Sequence, residues 1–131
     1  MTKFSRTVAV WLAAAMLTAC TSPAPRDDAP RPWLEFADGP VESVRFANLV
    51  DWQPLGRDTV MVRFEGGRFF AVRLKQPCIG HVREADRLGI DTAFDRQLRE
   101  NDSIRLDASS CLVDEIRPLD WRAYSDARAE R

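Results

Sequence analysis

Thr59-Val60-Met61-Val62-Arg63-Phe64-Glu65-Gly66-Gly67-Arg68-Phe69-Phe70-Ala71-Val72-Arg73-Leu74 decides the fold class of this chain. Two runs rich in β-branched and aromatic residues flank a glycine-containing break, the pattern of a β-hairpin. A two-residue Gly-Gly loop would set Val62 opposite Ala71 and Val60 opposite Arg73, mixing the two faces. A three-residue loop, Glu65 to Gly67, sets Val62 opposite Phe70 and Val60 opposite Val72. It also leaves Gly67 at the left-handed position such a loop requires. Apolar then meets apolar, and the register is fixed because a one-residue slip would turn every side chain over. The expected core face is Val60, Val62, Phe64, Phe70, Val72 and Leu74, with Arg63 and Arg73 on the other side.

Upstream, Val41 to Trp52 alternates imperfectly, with Val44, Phe46 and Val50 as candidates for one face; it reads as a first strand, ended by the turn Pro54-Leu55-Gly56. Downstream, Pro77-Cys78 stops the hairpin's second strand. Val82, Ala85 and Leu88 fit a short helical stripe that Gly89 would end. Phe94 and Leu98 stand at i, i+4 behind a candidate Thr92 cap, so a short helix or an irregular loop is expected there. Asp102 to Leu106 alternates into a strand, Ala108-Ser109-Ser110 reads as a turn, and Cys111 to Ile116 as the return strand. Arg122 to Arg131 is polar, suiting a frayed tail or a short helix.

The whole is expected to be mainly β, with a β-rich α+β fold as the variant. It would form a small antiparallel roll or open barrel of about five strands, with a short helical excursion before the last hairpin. Trp52 ahead of the central hairpin, Cys78 soon after it, Asp102-Ser103-Ile104, and the spacing Cys111-x-Val113-x-x-Ile116 together resemble a family of small proteobacterial lipoproteins of unknown function. The resemblance spans roughly Val44 to Leu119 and rests on the spacing of cysteines and apolar residues. It implies a periplasmic, paired-cysteine β domain and carries no activity.

The N-terminus supplies an address. Lys3 and Arg6 precede an uninterrupted apolar run of ten residues, Val8 to Leu17. A bilayer-spanning helix needs about 20 apolar residues, so this run fits an export signal instead. Leu17-Thr18-Ala19-Cys20 resembles the bacterial lipobox, which implies cleavage before Cys20 and acylation of its thiol and new amino group. One acyl chain holds a protein only reversibly, whereas two or three hold it durably. Thr21 stands where an aspartate would resemble an inner-membrane retention signal, so the expected site is the inner leaflet of the outer membrane, facing the periplasm. Residues 21–32 contain four prolines and no large apolar side chain. Such a tether spans up to ~37 Å in extended form. The expected organisation is a leader over 1–19, the lipidated Cys20 with its tether over 20–32, one β-rich domain over 33–121 and a polar tail over 122–131.

Loss of the leader lowers the basic count from 19 to 17 against 20 acids. A mature net charge of about −3 gives no basis for nucleic-acid binding, which needs a basic patch, nor for a polybasic membrane surface. With Cys20 assigned to lipid, Cys78 and Cys111 remain as an even pair in an oxidising compartment, and a disulfide between them is expected. Cys78 with His81, the one histidine, makes half a zinc site at most. Ser109-Ser110 reads as turn chemistry, Asp114-Glu115 and Glu84/Asp86 as solvated faces, and Gly66-Gly67 as a turn lacking the elements of a phosphate loop. No catalytic residue, metal site or cofactor is expected.

Of the tryptophans beyond the leader, Trp33 and Trp121 could pack together and close the domain. The alternative makes Trp33 and Trp52 an exposed contact for a partner. The function expected from these residues is a non-enzymatic, membrane-anchored module that binds another envelope protein. The alternative is a module for a small or cell-wall molecule held in the open end of the barrel.

Overall fold

The computed structural model describes residues 31–75, 78 and 82–131. The leader, Cys20, the tether up to residue 30, Pro77 and His81 lie outside the described residues. Among the described residues the chain forms eight strands: β1 (Ser43–Arg45), β2 (Leu49–Pro54), β3 (Thr59–Phe64), β4 (Arg68–Leu74), β5 (Leu88–Asp91), β6 (Gln97–Arg99), β7 (Ser103–Leu106) and β8 (Ser109–Pro118). A 3-10 turn (Pro32–Phe36) precedes them and helix α1 (Trp121–Ala129) follows. Six strands form one antiparallel sheet in the order β2-β3-β4-β8-β7-β5, and β1 pairs with β6. The β1–β6 pair ties the chain leading into β2 to the chain leaving β5, so the sheet curls into a nearly closed barrel.

The central hairpin has the register that its apolar pattern demands. Val60 faces Val72, Val62 faces Phe70, and Phe64 faces Arg68 across the three-residue loop. Gly66 and Gly67 take φ of +95° and +76°, a region in which a Cβ would clash with the backbone. Val60, Val62, Phe64 and Val72 are fully buried and meet Leu98, Ile104, Val113 and Ile116 inside the barrel. Each such side chain contributes roughly 1.5–3 kcal/mol by leaving water. Side chains of the described residues fill this interior, as in other small barrels.

Two bulges explain why the flanking strands read imperfectly. In β2 the partners step from Leu49↔Phe64 to Asp51↔Arg63, leaving Val50 as the extra residue, 52% exposed. Leu49 and Trp52, three apart, are the residues packed on the core, so Val50 does not share the face of Val44 and Phe46. In β8 the step is from Arg73↔Glu115 to Leu74↔Val113, with Asp114 extra. A bulge shifts the in-out alternation by one residue. That shift is the physical content of the spacing Cys111-x-Val113-x-x-Ile116, since all three side chains are buried on the same core. It also brings Asp114 and Glu115 together against Arg73, at 2.8 and 3.4 Å, with Glu115 bridging to Arg117 at 2.9 Å. These acids are half-buried ion-pair partners and do not form a solvated face.

The region between the cysteines departs most from expectation. Among the described residues the helical excursion is a single 3-10 turn, Val82–Glu84, and β5 and β6 raise the strand count above five. Residues 92–100 form no helix because Asp102 captures their backbone. Its carboxylate, 7% exposed, accepts hydrogen bonds from Ala93 N at 3.1 Å and Arg99 N at 2.7 Å. Local side-chain bonds of this kind compete with helical ones. The chain reverses at Arg96, with φ +58°, and drives Leu98 into the barrel while Phe94 stays 58% exposed beneath the Arg99 guanidinium. The last hairpin turns at Asp107-Ala108, with Asp107 at φ +53°, so Ser109 and Ser110 belong to β8. Cys78 and Cys111 form a disulfide with Cα atoms 5.8 Å apart.

A second, smaller core lies outside the barrel. Met61 and Ala71 point away from the interior, yet both are buried, together with Trp33, Leu119 and Tyr124. Phe36, Phe69 and Trp121 pack around them. The polar C-terminal stretch is therefore the outer face of a docked helix. Asp120 caps it through Oδ1, which accepts from Ala123 N at 3.0 Å, satisfying a donor the first turn leaves open. Trp33 and Trp121 both belong to this cluster, the arrangement expected if the two ends of the domain pack together.

Candidate functional site

Beside the second core lies an open cleft of about 920 Å³. It is bounded by the 3-10 turn Pro32–Phe36, the β2–β3 turn with Leu55 and Arg57, the 3-10 turn carrying Arg83, and the last turns of α1. Its accessible apolar wall is Pro32, Pro54 and Leu55, backed by the almost wholly buried Trp33 and Tyr124, and its rim carries Arg31, Arg57, Arg83, Arg128 and Arg131 against Glu35 and Asp58. The chain as a whole has a net charge of −1, so this concentration of guanidinium groups is local and opposite in sign.

Two of the arginines are held in place. Arg31 Nη2 donates to Asp58 Oδ2 at 3.0 Å, and Asp58, 8% exposed, also accepts from Thr59 Oγ1 at 2.9 Å. Thr59 is the first residue of β3, so the barrel fixes the acid and the acid fixes the arginine. Arg128 lies over the Tyr124 ring, 5.5 Å from its centroid, a contact that guanidinium makes well. Its position in the last turn also suits the helix dipole. Among the described residues Arg57, Arg83 and Arg128 form no salt bridge. Guanidinium groups that line one cleft and lack carboxylate partners can bind an anion through charge-assisted, bidentate hydrogen bonds.

The residues singled out from the sequence fall elsewhere or play other parts. Trp33 is 2% exposed, so it belongs to the second core, backs the cleft only at its edge and is not an exposed partner contact. Trp52 is half-buried and packs on the barrel core, away from the cleft lining. Cys78 and Cys111 are structural. Cys20 lies outside the described residues. Among the described residues no group of three or more His, Cys, Asp or Glu side chains is placed to share a metal ion, and no helix is long and apolar enough to cross a membrane. The arginine cleft escaped sequence reading because its members stand at positions 31, 57, 83, 128 and 131, each inside an ordinary polar stretch. No local charge run marks them.

One family model matches residues 3–131, that of the family of unknown function DUF6491, so the chain belongs to that family. No curated protein and no solved structure shows significant similarity to it. The match extends beyond the Val44–Leu119 span of the sequence resemblance, and it agrees with that resemblance in carrying no activity.

Proposed function

We propose that this DUF6491 member is a non-enzymatic binding module of the bacterial envelope, anchored at the periplasmic face of the outer membrane by an acylated Cys20, that takes its ligand in the arginine cleft. The observation that carries the reading is a concave, positively charged cleft on a chain of net negative charge. Clefts with convergent polar groups are the usual seats of small ligands. The anchor rests on the lipobox-like Leu17-Thr18-Ala19-Cys20, and Arg31, near the end of the proline-rich stretch, stands on the cleft rim. A second reading, docking of an envelope protein, draws on the half-buried stack of Phe69 and Trp121, whose rings lie 6.1 Å apart beside an open groove of about 720 Å³.

Fractionation of cells expressing Cys20→Ala tests the anchor: the variant should leave the membrane fraction, and its complete retention there would refute the assignment. The binding half is tested by mass spectrometry of material that stays with the protein through mild purification. One class of anionic envelope molecule should be retained by the native chain and lost from Arg57→Glu/Arg83→Glu. Capture of a single envelope protein instead, lost with Trp121→Ala, would move the assignment to the second reading.

A further inference from the structure

The geometry points to a phosphate monoester as the group held in the arginine cleft, an inference that rests on the binding-module reading above and names its ligand class. Charge matching carries it. Arg31 and Asp58 neutralise one another in their 3.0 Å bridge. Arg57, Arg83 and Arg128 then face Glu35 alone, leaving a local excess of about two positive charges even without Arg131. A phosphate monoester carries roughly −1.5 to −2 near neutral pH. Its three peripheral oxygens accept from several guanidinium groups at once, whereas a carboxylate is largely satisfied by a single arginine fork.

The cleft is also larger than the group it would hold. About 920 Å³ is on the scale of ligand pockets of roughly 300–1,000 Å³, so the phosphate would enter attached to a larger body. Pro32, Pro54 and Leu55 give that body an apolar wall, and the Arg128 contact with Tyr124 orients one donor beforehand. Two sources share this chemistry: a soluble phosphorylated molecule, or a lipid whose headgroup ends in a phosphate monoester.

The test uses the mature chain carrying Cys20→Ala, so that no acyl chain contributes to binding. The Nε–Hε resonances of its arginines are followed by NMR during titration with glycerol 3-phosphate. Resonances of Arg57, Arg83 and Arg128 should shift together and saturate, and Arg57→Glu/Arg83→Glu should weaken binding at least tenfold. Arg45→Glu removes a positive charge from a separate hollow beside Phe46 and Arg96 and should change the affinity less than twofold. Vesicles of phosphatidic acid in phosphatidylcholine, compared with phosphatidylglycerol in the same lipid, separate the sources. Retention on the monoester vesicles assigns a lipid headgroup, and response to glycerol 3-phosphate alone assigns a soluble ligand.

Binding of citrate as tight as that of glycerol 3-phosphate would overturn the phosphate assignment and leave the binding module standing. Equal weakening by Arg45→Glu would also overturn it, because attraction would then be diffuse. A cleft that responds to no anion, with the variants folded as judged by circular dichroism, would overturn both the ligand class and the cleft as binding site.

Discussion

Replacing Cys78 and Cys111 together by alanine should destabilise the domain by about 4–5 kcal/mol. The disulfide closes a stretch with a sequence separation of 33. For a loop of this length the entropy removed from the unfolded chain corresponds to about 3.7 kcal/mol at 25 °C. Both sulfurs sit in the barrel core, where the cysteines are 3% and 1% exposed, and deleting them leaves small voids worth about 1 kcal/mol more. The native state loses little besides. Leu74 pairs with Val113, and Lys75 N donates to Leu112 O at 2.8 Å, so strand pairing already closes the mouth of the intervening excursion. The effect therefore belongs mainly to the unfolded chain, which becomes larger without the link. Urea unfolding followed by tryptophan fluorescence should show a midpoint lower by about 3 M, for a slope of about 1.5 kcal/mol/M, and the slope itself should rise. Hydrogen exchange should show the first loss of protection in β5, β6 and β7, the strands bracketed by the two cysteines. A loss under 1.5 kcal/mol with an unchanged slope would refute the loop-closure account.

Asp102→Ala should cost about 2–3 kcal/mol, since two backbone N–H groups lose a charged acceptor in a part-buried site. Its amide exchange should rise between Ala93 and Asn101, and a variant with wild-type unfolding would show that the carboxylate does not organise that loop. Tyr124→Ala, which removes a ring packed between Phe36 and Trp121 at 5.8 and 5.6 Å, should cost about 3 kcal/mol. Near-ultraviolet circular dichroism from the tryptophans should collapse with it, while the far-ultraviolet strand signal persists; a retained aromatic signal would mean that α1 is not held by this residue. Gly67→Val should cost at least about 1 kcal/mol, because φ of +76° is a genuine outlier for a β-branched residue. Equal stability of the two chains would show that the loop adopts another turn in solution.

Much of the fold was legible in one strand pair. Val60, Val62, Phe64, Phe70 and Val72 specify their own register because only one loop length buries them all. Cys78 and Cys111 were legible by elimination once Cys20 was set aside. Phe94 and Leu98 misled for a definite reason. Their helical spacing is real, but the side chain of Asp102 offers their backbone better partners, and that acid acts from outside the window in which periodicity is read. The bulges at Val50 and Asp114 were hidden likewise, since an extra residue in a strand looks like a broken pattern until its partner strand is known.

By itself, then, the amino-acid order determined the class of fold, the central hairpin with its register, the cysteine pair and the expectation of an N-terminal lipid anchor. These depend on local pattern, on neighbours in the chain or on counting. Tertiary structure alone decided that Trp33 is buried, that the C-terminal stretch docks as a helix over Met61 and Ala71, and that five arginines spread over 100 residues meet around one cleft. Burial and convergence are properties of how strands curl and which ends meet, and charges become neighbours in space only after the chain has closed on itself.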